Sequence, residues 1–375
     1  MRSGKQLWIV VALTTFSLIQ GSPDGQAAEI PPAATFTLDQ HPVSLLAWAP
    51  DHQTLLGAGN VLAKWDVPAG KLLKLEKLPA YANSMAASRR NPILLIGTNR
   101  CKVELRDVET LALRHTFPIG PNYSIYAVAL SADDGLLASC AADGSIQVWN
   151  TKTNERLLSL GESGLTEEER LDQLFRGIPG RERMSSLAFS ADRKRLAALS
   201  CYGKVELWNM ATGELVDTLS AKVSRVRDEN ACVSFSQDDT TVAVAHRGGI
   251  LYWEPSQAKE PRSVGVPDEI DEDQKFMKWL NEQKGAIAVS VAIYHGRLAL
   301  SDDGKTAATV NKSGTISVWD VATRKVQHTL LTGDPPAPDT GIFVQAVAFS
   351  SNAKRLAACW RQGLRQGKII AWELP

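Results

Sequence analysis

Residues 144–160 read GSIQVWNTKTNERLLSL, and the same frame returns as GKVELWNMATGELVDTL at 203–219 and GTISVWDVATRKVQHTL at 314–330. Each copy is 17 residues long, with Trp in sixth place and Leu in last. A reaction needs its residues once, whereas a structural unit that cannot bury its own apolar faces must recur. Alignment on the Trp extends the repeat to seven copies, with anchors at Trp65, Arg106, Trp149, Trp208, Trp253, Trp319 and Trp372. The slot takes six of the ten Trp residues in the chain, so architecture is the first thing the sequence specifies.

Within a unit the apolar residues alternate with period two. In the third copy, Val128 and Leu130 lead to a tight turn at Asp133-Asp134-Gly135, and Leu136 to Ala141 forms the next run. Asp143-Gly144 is a hairpin, Ile146 to Trp149 the third run, and Thr153-Asn154 turns the chain into Arg156 to Leu160. Asp-Gly between apolar runs is the strongest short hairpin signal. Each repeat is expected to be four short antiparallel strands, here called a to d. Such a sheet is apolar on both faces and needs a neighbour on each. Sheets set radially in a ring satisfy that need without leaving long open edges.

On these residues the chain resembles the WD-repeat β-propeller family, over residues 34–375. The resemblance implies an all-β, seven-bladed propeller of four-stranded antiparallel blades. After Trp372 only three residues remain, so the last copy has no strand d, and Ala34-Thr-Phe-Thr-Leu38 is expected to supply it. The chain departs from the family pattern in its polar positions. The Gly-His pair before strand a is missing, with only His41 approximating it, and the anchor dipeptide is Trp-Asp, Trp-Asn, Trp-Glu or Arg-Asp. The family's Asp-His-Ser-Trp hydrogen-bond tetrad is therefore expected in few blades, if any, leaving stability to apolar burial of about 150–250 Å² per Trp. Ala211-Thr-Gly-Glu214 has a faint likeness to quinone-dependent dehydrogenase propellers, but there the Trp follows the turn and here it precedes it.

The totals agree with a soluble globular chain. Of 375 residues, 44% are hydrophobic and 22% charged. Lys plus Arg equals Asp plus Glu at 41 each, which leaves no electrostatic footprint for nucleic acid or an anionic membrane. Arg2 and Lys5 precede an apolar run from Leu7 to Ile19, with small residues at Gly25 and Ala27. That pattern predicts a signal peptide over 1–28, cleaved near Ala27/Ala28, and a periplasmic or extracellular product. The apolar run would make about 20 Å of helix against a hydrocarbon core of about 30 Å. The five Cys (101, 140, 201, 232 and 359) are odd in number and lack a CxxC pair. Cys140, Cys201 and Cys359 read as small buried hydrophobes.

In a four-stranded blade the d–a and b–c connections share one rim. The long d–a segments are 161–185, 265–296 and 331–345, and the b–c turn around Trp360 to Gln366 is enlarged on the same side. Long loops on a tight scaffold carry function disproportionately. Thr166 to Glu169 is a capping box for a short helix to Phe175, and Phe276, Trp279 and Leu280 fall at helical spacing. The residue leading into each strand a (Pro42, Tyr81, Ser124, Arg183, Glu229, Tyr294 and Phe343) rings the channel mouth in the family. The expected partner contacts are Tyr81, Arg183, Phe276, Trp279, Tyr294, Phe343 and Trp360, since aromatic and Arg side chains dominate binding hot spots.

No catalytic motif, cofactor loop or metal-ligand spacing appears. The six His are scattered, and the acidic run 268–273 lacks the spacing of a calcium loop. The expectation is a non-catalytic, monomeric scaffold that binds a protein or peptide at the insertion-bearing rim, with no cofactor and no metal. The alternatives are an exported propeller hydrolase or lyase acting at the channel mouth, and an envelope protein whose ring spaces other components.

Overall fold

The computed structural model describes residues 28–39, 43–120, 124–161, 184–220, 232–235, 238–246, 249–255, 262–265, 298–301, 306–310, 315–320, 325–330, 342–362 and 366–375. All regular structure among them is β, in seven sheets. The helices expected at 166–175 and 276–280 lie outside these residues. Blade 3 has its strands at Ile125–Leu130, Leu136–Ala141, Ile146–Asn150 and Arg156–Leu160, hydrogen-bonded antiparallel in that order. Strands b and d begin and end where the alternation placed them. The blades span 43–77, 82–118, 125–160, 184–220, 232–265, 298–330 and 342–373. The last is completed by Ala34–Asp39, whose Phe36 stands opposite Ile369 of strand c.

Two sheets differ from expectation. Blade 6 has a fifth strand, Ala28–Ile30, lying parallel on its strand d, Lys325–Leu330. In blade 7 the enlarged b–c connection is a longer hairpin: strands Arg355–Gln362 and Gln366–Glu373 have eight residues each and pair as far as Gln362 with Gln366. Strand a begins at Ile342, so it also absorbs the end of the expected 331–345 loop.

The anchor side chains explain how the blades adhere. The six whose side chains are described pack against the preceding blade. Trp65 joins the cluster with Phe36, Ile369 and Ala371 of blade 7, Trp149 that with Val103 and Phe117 of blade 2, and Trp372 that with Val318 and Leu330 of blade 6. Two seams place a strand-d Phe against the next anchor, with ring centroids 5.7 Å apart for Phe36–Trp65 and 5.5 Å for Phe117–Trp149. By register, Phe36, Phe117, Leu160, Leu219 and Leu330 fill one strand-d slot, and in blade 1 that slot holds Glu76. Its counterpart on blade 2 is the one anchor that is not Trp. Arg106 donates from Nη1 to Glu76 Oε1 (2.9 Å) and from Nε to Glu104 Oε2 (2.7 Å), so an ion bridge replaces the ring contact at this seam.

The polar tetrad is not made in blade 3. Trp149 Nε1 and Ser139 Oγ are both buried without a hydrogen-bond partner. Polar links between blades run instead along the rim of the a–b turns. His52, Asp134, Arg193 and Asp239 occupy one turn position with φ between 57° and 61°. Asp134 accepts from Ser88 Oγ and Asn91 Nδ2 of blade 2, both at 2.6 Å. Asp239 accepts from the amides of Ala191 (2.7 Å) and Asp192 (2.9 Å) of blade 4, and His52 Nδ1 lies 2.8 Å from Ser351 Oγ of blade 7. Across the same 7–1 seam, Trp48 Nε1 donates to the carbonyl of Ala348 (2.9 Å).

Close packing of the anchors also restricts strand b. A Cβ built on Gly57 would lie 2.8 Å from Trp65 Cζ3 and 3.3 Å from Val43 Cγ1. Trp65 is 1% exposed, so its ring has nowhere to move. Gly57→Ala is expected to destabilise by about 1–3 kcal/mol through overpacking. A urea midpoint unchanged from wild type would contradict this.

Candidate functional site

The rim of the d–a and b–c connections is held together by main-chain bonds. Asn99 in the b–c turn of blade 2 donates its amide to Tyr81 O (3.0 Å), and its Oδ1 accepts the Tyr81 amide (3.1 Å). The Leu78 amide reaches Asn60 O (3.0 Å), and the Ile119 amide reaches Cys101 O (3.1 Å). Tyr81 is thus pinned at the junction of the two connections. Its hydroxyl lies 2.9 Å from Ser44 Oγ of blade 1, tying the rims of adjacent blades.

Ser44 has this position because of a bulge. The register of strand a shifts between Val43 and Leu45, and does so again between Ala82 and Ser84, Ile125 and Ala127, Met184 and Ser186, and Val344 and Ala346. The bulged residues are Ser44, Asn83, Tyr126, Ser185 and Gln345. An extra residue in one strand re-aims its side chain and sharpens the local twist. All five lie at the rim end of strand a, two positions past the residue that leads into it. All five are neutral hydrogen-bonding groups. The sequence reading stopped at the leading residue and passed over this series. A period of two with one irregular step, repeated in five units, was the available signal. Tyr202, in the b–c turn of blade 4, was also passed over; it is 48% exposed on this rim.

Of the expected contacts, the structure brings Tyr81 to the rim, half-buried. Phe343 lies in strand a of blade 7, opposite Arg361 in the ladder. Trp360 is corrected. It lies within strand b opposite Lys368, is 4% exposed, and packs at 6.0 Å edge-on to Trp372. A residue so enclosed has no face to offer a partner; the enlarged turn it was assigned to is ladder. Arg183, Phe276, Trp279 and Tyr294 lie outside the described residues.

The opposite rim holds the displaced carboxylates. Asp107 is lowered to about 2 by the Thr110 amide bond, helped by Arg114 and the Thr110 hydroxyl. Burial pushes Asp133 and Asp192 upward, but hydrogen bonds from turn residues outweigh it and both end lowered. These are turn acceptors in the a–b and c–d connections. Burial raises the Cys359 thiol to about 12, which leaves it inert. Among the described residues, no three His, Cys, Asp or Glu group as a metal site, and no helix is long and apolar enough to cross a membrane.

Residues 112–150 match the family model described as WD domain, G-beta repeat. The matched stretch runs from strand d of blade 2 through strands a, b and c of blade 3, so the sequence repeat is offset by one strand from the structural blade. Together with the series of four-stranded antiparallel sheets, that match supports the WD-repeat β-propeller family. The chain resembles that family in both one repeat and its sheets. No curated protein matches it in sequence. WD repeats commonly act as protein-interaction scaffolds, and the family is typically non-catalytic. In this chain the offset has a physical reading: strand d of one blade closes against the anchor of the next, so the matched unit straddles a seam.

Proposed function

We propose that the seven sheets close as one seven-bladed ring, exported after cleavage near Ala27/Ala28 that leaves Ala28 in place, which binds a protein or peptide at the d–a rim without catalysing a reaction. The observation that carries this reading is the repeated strand-a bulge, which sets Ser44, Asn83, Tyr126, Ser185 and Gln345 in series beside Tyr81. A mouth of neutral hydrogen-bonding and phenolic groups suits a polar, uncharged surface such as peptide main chain with its amide and hydroxyl side chains. Tyrosine adds large contact area at small entropic cost. The strands that bound the long d–a connections, ending at Leu160 and Gly265 and resuming at Met184 and Leu298, meet this same rim.

The test is quantitative affinity purification of the exported protein beside Tyr202→Ala, a 265–285 deletion, and Leu73→Asp on the outer edge as control. Tyr202 is half exposed, so truncating it should leave the melting temperature unchanged. Proteins enriched by wild type are expected to drop at least tenfold with the rim variants and to persist with Leu73→Asp. Equal recovery by all four would sink the rim assignment. An intact Met1 on the mature protein would sink export.

A further inference from the structure

The outer edge of blade 6 carries a strand that has no counterpart on the other described blades. Ala28–Ile30 runs parallel to Lys325–Leu330, pairing Ala28 with His328, Glu29 with Thr329 and Ile30 with Leu330. This is a short ladder, and parallel pairing is slightly weaker per residue than antiparallel. Pro31 and Pro32 follow it, with no amide hydrogens to donate, and separate it from the Ala34–Asp39 strand of blade 7. Its anchor is Ile30, 3% exposed in the cluster of Ile316, Val318, Leu330 and Trp372.

The other end of the ladder is different. His328 lies between Ala28 on one side and Val318 on the other, and its Nδ1 is buried with no hydrogen-bond partner. Such a ring is tolerated while neutral, because an imidazolium needs both nitrogens solvated or paired. The charged groups nearby offer no rescue. Glu29 is exposed beside Thr329, and Asp320, at the far end of strand c, accepts from Gln327 Nε2 (3.1 Å). Lys325 begins strand d. Lys368, on the same face of its blade 7 strand as Ile370 and Trp372, brings positive charge toward this seam.

We propose that Ala28–Ile30 is an acid-released latch: protonating His328 detaches this strand from blade 6 while Ala34–Asp39 keeps its place in blade 7. The residue is half-buried, but a charged ring must also bring its Nδ1 to water, and of its two neighbours only the three-residue edge strand can yield. Val318 is held in an interior strand. Burial already lowers the His328 pKa from the usual value of 6.5. The released form therefore takes up a proton near 6.5, and the docked form only below it. The docking contribution is complete above 6.5 and is lost as pH falls below that value. Asp107, at about 2, titrates far from this window.

Hydrogen exchange of the whole exported protein, corrected for the intrinsic pH dependence, tests this at pH 7.5 and pH 5.0. Protection of peptides covering 28–33 and 325–330 is expected to fall at least tenfold at the lower pH, with 342–362 unchanged. His328→Gln is expected to abolish the pH difference. Equal protection at both pH values, or the same loss in His328→Gln, overturns the proposal. Should that variant fail to fold, an NMR titration of wild type decides the matter: a His328 pKa at or above 6.5 overturns the latch, and one below it supports it.

Discussion

A chain beginning at residue 40 is expected to aggregate, while one beginning at residue 28 stays monomeric. Ala34–Asp39 makes a six-pair ladder with strand c of blade 7, and Ala34, Phe36 and Leu38 are each at most 2% exposed. Burying a Phe or Leu side chain contributes about 1.5–3 kcal/mol each. A domain's net stability is only about 5–15 kcal/mol, so losing both, with the ladder, removes a large fraction of it. The damage would not stop at the enthalpy of one strand. Gln366–Glu373 would become an open eight-residue edge carrying Ile369, Ile370 and Trp372, the kind of edge that templates association. Trp65 of blade 1 would lose the ring of Phe36 in the preceding blade. Phe36→Ala is the graded version, expected to cost about 3–5 kcal/mol. Size-exclusion chromatography and urea midpoints measure both. A monomeric 40–375 chain with the wild-type midpoint would mean that Ala34–Asp39 closes nothing.

Arg106→Ala is expected to cost about 3–5 kcal/mol, because it strands a buried carboxylate. Glu104 is 5% exposed and Arg106 4%, and the guanidinium also holds the Leu111 carbonyl at 2.8 Å. Leu111 itself is fully buried with φ of 58°, a conformation that L residues adopt at a cost, so the lost bond also loosens a strained turn. The ionic seam is nevertheless replaceable in principle. At the blade 2–3 seam the equivalent positions are Phe117, Gln147 and Trp149. The triple variant Glu76→Phe, Glu104→Gln, Arg106→Trp copies that seam. Since apolar replacements of buried ion clusters are often neutral or stabilising by about 1–4 kcal/mol, it should recover most of what Arg106→Ala loses. Chemical denaturation of the three proteins distinguishes the cases. A triple variant as unstable as Arg106→Ala would show that the salt cluster positions this seam in a way ring packing cannot.

Most of the blade was legible in the sequence. Alternation with period two, Asp-Gly turns and one heavy anchor per unit are local properties, and local properties survive folding unchanged. The need for Ala34–Asp39 followed from counting residues after Trp372, which is arithmetic on the chain. Trp360 was misplaced because an enlarged turn and a lengthened hairpin contain the same residues; only the pairing of Gln362 with Gln366 separates them. The strand-a bulges were missed because one extra residue leaves the hydrophobic pattern almost intact while redirecting a side chain.

What the sequence by itself determined, then, is the unit: four strands, two apolar faces and the slot that holds its anchor. The tertiary structure decided what those faces meet. Glu76 and Arg106 belong to different repeats and look like two unrelated exceptions until blade 1 is laid against blade 2. Ala28–Ile30 has no partner signal of its own and acquires one only where the outer edge of blade 6 passes beside it. Periodicity records how a residue relates to its own strand; which surface lies across a seam depends on the path of the whole chain.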